Sequence, residues 1–268
     1  MKVSICIPAY NDEAGITRLI DSIKKQTFTD YEVILSDDSA ESVAERIKNQ
    51  IEASGNNFKY FRHETHTGPA DNWNNSIALA SGDYIKIMHQ DDFFTNEDSL
   101  KHYVELLEKT PEADMAFSGS KEVYSDHSFD RCISASDEVS LNKTFNFLFL
   151  RNCIGAPSAI IFKKGVDVKF DSRLKWFVDI DFYMAILQSN SKYAFTREPL
   201  VSIGHGEGQV TNTCVYNSKV LSTEGKILYK KFNLNKDFAC KLHYYFFLKN
   251  SLLHFIRKIR NLIRSTVK

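Results

Sequence analysis

Val3-Ser4-Ile5-Cys6-Ile7-Pro8-Ala9-Tyr10-Asn11-Asp12-Glu13 opens the chain with an apolar run, a proline and then a polar turn. The run is too short for a helix and reads as a buried strand that Pro8 ends, because a prolyl nitrogen cannot donate to a sheet ladder. Ile16, Leu19, Ile20 and Ile23 then recur at helical spacing, with Asn11 or Asp12 in place to cap the helix. The alternation continues downstream. Tyr31 to Leu35 reads as a second strand, and Val43, Ile47 and Ile51 as a second helix. Phe58 to Phe61 is a third strand, Ala70 to Ala80 a helix, and Tyr84 to Met88 a fourth strand. A helix marked by Leu100, Tyr103, Val104 and Leu107 leads to Met115-Ala116-Phe117. Strands and helices alternating at these lengths predict a mostly parallel α/β sheet covered on both faces.

In such sheets ligands bind at the carboxyl ends of the strands, so the residues just after each strand matter most. The first strand runs into Tyr10-Asn11-Asp12-Glu13, the second into Ser36-Asp37-Asp38-Ser39, the fourth into His89-Gln90-Asp91-Asp92. Two acidic pairs on one sheet edge repel unless a cation or hydrogen-bond donors lie between them. Helix capping is the competing explanation for either pair taken alone.

Composition narrows the field. The chain has 268 residues, 43% hydrophobic and 25% charged, as expected of a globular protein with a full core. Lys+Arg and Asp+Glu both total 34, so nothing in the net charge points to nucleic acid. The charge is unevenly spread: no acid follows Asp237, and the seven basic residues from Lys241 to Lys268 give the last 31 residues +7. Five scattered cysteines without a CxxC pair argue against a disulfide framework or a zinc site and suit a reducing compartment. There is no signal-peptide pattern and no apolar run of ~20 residues, which leads to the expectation of a cytoplasmic protein, peripheral on the inner face of the cell membrane.

The ordered set Val3 to Asn11, Val33-Ile34-Leu35-Ser36-Asp37-Asp38-Ser39, and Ala80-Ser81-Gly82-Asp83-Tyr84-Ile85 leading to Asp91-Asp92 resembles glycosyltransferase family 2. The likeness covers roughly residues 1 to 210. It implies a GT-A fold: a mostly parallel Rossmann-type sheet with helices on both faces, plus a helical C-terminal segment. It also implies an inverting transfer of sugar from a nucleotide-sugar donor to a saccharide or lipid-linked saccharide acceptor. By resemblance, Pro8, Tyr10 and Asp37 line a uracil site, and Asp91 belongs with the donor. Asp92 is expected to hold a divalent metal, Mn2+ or Mg2+, whose natural ligands are carboxylate oxygens. His89 is a departure, standing where the family often has an acid.

Further along, Gly155, Pro157 and Ser158 resemble the family's acceptor-side loop, although a plain turn before a strand reads equally well from the residues themselves. Asp179 falls where the family places its catalytic base, with Val178 in place of the usual Glu. Burial beside Phe177 and Val178 would raise its pKa and make it a better base, while an N-cap role is the competing reading. His205, between glycines in Ile203 to Thr211, resembles a histidine that swings onto the metal or diphosphate. A nucleotidyltransferase would need a Gly- and Arg-rich loop after the first strand, which Ala9 to Glu13 does not supply. A non-catalytic sugar-binding module is the other alternative.

The expected organisation is a catalytic domain over 1–215, divided into a nucleotide-sugar half (1–120) and an acceptor half (121–215). An extension covers 216–268. Within it Leu248, Leu252, Phe255, Ile256, Ile259, Leu262 and Ile263 form a stripe flanked by Lys249, Arg257, Lys258, Arg260 and Arg264. Such a basic amphipathic helix can lie on an anionic membrane. The competing occupants of its apolar stripe are the catalytic domain or a second subunit in a homodimer.

Overall fold

The computed structural model describes residues 1–206 and 217–234. Its element order is β1 (Val3–Ala9), α1 (Glu13–Lys24), β2 (Tyr31–Asp37), α2 (Glu41–Glu52), β3 (Phe58–Arg62), α3 (Pro69–Ala78), β4 (Tyr84–Ile87) and β5 (Phe93–Phe94). There follow α4 (Ser99–Lys109), β6 (Met115–Val123), β7 (Ser128–Arg131), α5 (Ala135–Lys143), β8 (Ile160–Lys163), α6 (Val178–Ser189), β9 (Tyr193–Gly204) and α7 (Ser218–Lys231). The strands form one sheet in the order β3-β2-β1-β4-β8-β6-β9-β5, with β7 paired to β6. β1 is parallel to β2 and β4, β2 to β3, and β6 to β9, whereas β8, β7 and β5 run against their neighbours.

Period-two alternation divides the core. Val3, Ile5, Ile7, Val33 and Leu35 point to the face covered by α1, α2 and α4. Cys6, Ile34, Ile85 and Ile87 point to the opposite face, with Phe162, Phe177, Phe182 and, from the C-terminal side, Leu221, Leu228 and Phe232. Helices therefore cover both faces. In α1 the four predicted apolar residues are all buried, each worth roughly 1.5–3 kcal/mol. The Asp12 carboxylate caps the helix by accepting the Gly15 N–H at 2.9 Å, worth about 1 kcal/mol, so packing outweighs capping. Asn11 takes a left-handed turn (φ 53°), and its side-chain oxygen accepts the Ala40 N–H at 2.9 Å.

At the amino edge of the sheet, Glu32 of β2 is fully buried. Its carboxylate accepts from Ser4 Oγ at 2.6 Å, from the Ser81 N–H at 2.7 Å and hydroxyl at 2.6 Å, and from Lys59 Nζ at 2.7 Å. Burial alone would raise its pKa, but these donors outweigh it and hold the carboxyl at about 2. No described helix is long and apolar enough to cross a membrane. Residues 207–211 and the basic stripe Leu248 to Arg264 lie outside the described residues.

Candidate active site at the carboxyl edge

The turns after β1, β2 and β4 meet at one end of the sheet. Asp37 closes β2 fully buried. One of its oxygens accepts the Ser39 N–H at 2.9 Å and the other the Tyr60 hydroxyl at 2.7 Å, which leaves roughly half of its lone-pair positions unused. Asp38, beside it, fixes the approach to α3: its oxygens accept the Thr67 N–H at 2.9 Å and the Gly68 N–H at 3.0 Å, and His66 Nδ1 lies 2.8 Å away. Pro8 is buried, while Tyr10 is 52% exposed, with its ring tilted against His66 at 5.4 Å. Gln90 joins this loop to the acidic one. Its Oε1 accepts the Tyr10 N–H at 2.6 Å and its Nε2 donates to the Tyr10 carbonyl at 3.0 Å.

His89, Asp91 and Asp92 each offer a ligand atom within 4.8 Å of the others. Asp92 is buried and accepts the Gly204 N–H at 3.0 Å. A side chain on Gly204 would run into the Asp91 carbonyl, so glycine is what lets β9 end against this loop. Burial, with the Asp91 charge added, holds the Asp92 carboxyl well above the usual range. The Ser158 hydroxyl hydrogen-bonds Asp92 and accepts the His89 N–H at 2.8 Å. Beneath them lies Lys86, fully buried in β4. It donates to the Ser158 and Ile87 carbonyls, with its ammonium 4.3 Å from the centre of the Tyr103 ring.

These residues suit a divalent cation. Burial keeps His89 neutral below its ordinary pKa, and its Nε2 is a buried atom with no hydrogen-bond partner among the described residues. A neutral imidazole beside two carboxylates is a ligand set for a first-row divalent ion, and that ion would relieve the Asp91–Asp92 repulsion.

Asp179 does not cap its helix. The N-cap of α6 is Phe177, and Asp179 lies in the first turn. It is partly buried, and desolvation pushes its carboxyl up to about 7. One turn on, the Tyr183 hydroxyl donates to the Gly155 carbonyl at 3.1 Å. Gly155 has φ 119°, and a Cβ there would come within 2.9 Å of Arg131 Nη1. Arg131 in turn donates to the Asn152 carbonyl at 2.7 Å. The loop holding Gly155, Pro157 and Ser158 thus touches α6, the helix that carries Asp179, on one side and the acidic loop on the other. His205 is held differently: Nε2 lies 2.5 Å from Glu122 Oε2, and the ring stacks on Tyr124 at 4.2 Å.

Sequence reading missed Gln90, Lys86 and the membership of His89 in the acidic group. A fully apolar strand interrupted by a lysine was the available signal for Lys86.

The profile described as "Glycosyl transferase family 2" matches residues 4–167. A Campylobacter jejuni GalNAc(5)-diNAcBac-PP-undecaprenol beta-1,3-glucosyltransferase is 30% identical over 92 residues, 34% of this chain and 30% of that protein's length. The amylovoran biosynthesis glycosyltransferase AmsB of Erwinia amylovora is 26% identical over 209 residues, covering 74% of this chain and 68% of AmsB. Among solved structures, S. aureus TarS 1-349 in complex with UDP-GlcNAc superposes with a TM-score of 0.71 at 22% identity, covering 92% of this chain and 73% of that one. The likeness to TarS is one of fold.

Proposed function

The chain belongs to glycosyl transferase family 2, and on that premise we propose that it transfers a sugar, with inversion, from a UDP-sugar to a saccharide or lipid-linked saccharide in surface-polysaccharide synthesis. One observation carries the reading. The Ser158 loop ties the acidic group His89, Asp91 and Asp92 to the helix bearing Asp179, whose carboxyl is pushed up to about 7. One loop thereby links the proposed diphosphate site to the helix that carries the proposed base.

In this reading Pro8 and Tyr10 border the base of the nucleotide, and the unused acceptor capacity of Asp37 receives the uracil imide N–H. Asp91 and Asp92, together with His205, would hold the cation. A cation bound there would neutralise charge developing on the leaving diphosphate. Gly155, Pro157 and Ser158 admit the acceptor, since small residues let a sugar ring approach the backbone. Asp179 takes the proton of the attacking hydroxyl; at pH 7 about half of it is ionised, which suits a general base. One relative is named for an undecaprenol-linked saccharide and another for amylovoran biosynthesis, which supports a similar acceptor class here.

Thermal shift with UDP, UDP-glucose and UDP-GlcNAc, each with and without Mn2+, tests the donor side. A ligand at 100 times its Kd adds about 2.7 kcal/mol. Metal-dependent stabilisation by UDP but not by ADP is expected, and no shift with any uridine nucleotide would overturn the proposal.

A further inference from the structure

Helix α6 begins at a residue whose side chain cannot cap it, because Phe177 offers no acceptor. The three backbone N–H groups leading into the helix nevertheless converge on one distant carboxylate. Glu224 Oε1 accepts from Lys175 at 3.0 Å, and Oε2 accepts from Trp176 at 2.9 Å and Phe177 at 3.0 Å. Consecutive N–H groups aimed one way form a concavity that suits an anion, and bonds to an ionised acceptor are roughly twice as strong as neutral ones. Glu224 is only 4% exposed, so water does not compete for it.

A second tie lies one turn into the helix. Lys231 Nζ is 2.7 Å from Asp181 Oδ2, on a side chain that is fully buried. Glu224 and Lys231 both belong to α7, whose Leu221 and Leu228 pack in the same core as Phe177 and Phe182 of the α6 segment. Asp179 sits between the two ties, two residues after Phe177 and two before Asp181. The backbone that leads into Asp179, Lys175 to Phe177, is the stretch Glu224 grips.

We infer that Glu224 is a positioning residue for Asp179: by holding the turn ahead of α6, helix α7 fixes where the Asp179 carboxylate stands and keeps its pocket closed. The inference rests on the proposed role of Asp179 as base. It makes α7, beyond the stretch matched by the family profile, part of the catalytic unit. A packing role alone would predict lost stability with the Asp179 carboxylate otherwise unaltered.

The test uses the full chain with 13C-labelled aspartate, the Asp179 carboxyl resonance being assigned by its absence in Asp179→Asn. In Glu224→Ala the loosened turn admits water, and Asp179 is expected to titrate about one pH unit or more below wild type. UDP binding with Mn2+, measured by calorimetry, should stay within about twofold, because that site lies on other loops. Should Glu224→Ala not fold, Glu224→Gln carries the test. It keeps the volume and one acceptor oxygen, while its NH2 must face at least one of the three backbone N–H groups. An Asp179 titration unchanged in a folded variant overturns the inference, as does an equal loss of UDP binding. If Asp179→Asn retained full transfer, the base reading would fail while the titration result stood, so the two failures are distinguishable.

Discussion

Asp179→Asn should make the protein more stable while disabling it. The carboxyl is held at about 7 in the fold against an ordinary 3.8, because its pocket desolvates it. A carboxyl raised on folding favours the native state fully only below pH 3.8, and that contribution is lost as pH rises through 7. Asparagine keeps the size and carries no charge to desolvate. Each tenfold change in an ionisation constant between folded and unfolded chain is worth about 1.36 kcal/mol. Relative to wild type the variant therefore gains about 1.5 kcal/mol at pH 5 and about 4 kcal/mol at pH 8. Urea unfolding of both proteins at the two pH values measures the gain. Transfer should fall on the order of 10²–10⁴-fold, and the wild-type rate should rise with pH through an inflection near 7. A stability difference that does not change between pH 5 and pH 8 would refute the burial argument.

Three further outcomes follow from the same site. Asp91→Asn should weaken Mn2+-dependent UDP binding at least as much as Asp92→Asn, since the Asp92 oxygens already accept from Gly204 and Ser158; calorimetry showing wild-type affinity in both would remove the metal group. His205→Ala should weaken binding of UDP but not of uridine, and equal losses for the two ligands would mean that the residue only shapes its loop against Glu122 and Tyr124. The full chain should float with anionic liposomes, less so at high salt, at about 1 kcal/mol for each basic residue near the surface, whereas a chain ending at Asp237 should stay behind; equal flotation of both would assign the basic stripe to packing.

Much of this arrangement was legible because it is local. Ile16, Leu19, Ile20 and Ile23 carry their helix in their spacing, and the acids after β2 and β4 mark the edge where the site is proposed. Long-range partnership was not legible. Periodicity says nothing of β8 inserting antiparallel between β4 and β6, since a strand's direction depends on where the chain returns. β5 has only two residues and exists because β9 pairs with it, too short a run to show a pattern. Asp179 was open to a capping role because residue type alone cannot separate the N-cap from the first turn. Glu224 went unseen because its three partners lie 47 to 49 positions away. His89 read as a departure from an acidic motif, and only the fold shows its imidazole among the carboxylates.

The Glu32 network bears on how the molecule meets acid. Its carboxyl stays ionised down to about pH 2 in the fold, so its contribution to stability, full above the ordinary glutamate value, is lost only as pH falls through about 2. Asp179 at the far edge is already neutral once the pH drops below about 7. Between those two points Glu32 keeps its ionic tie while Asp179 carries no charge. If Asp179 is the base, transfer should fade with acid before this tie is lost and return on neutralisation.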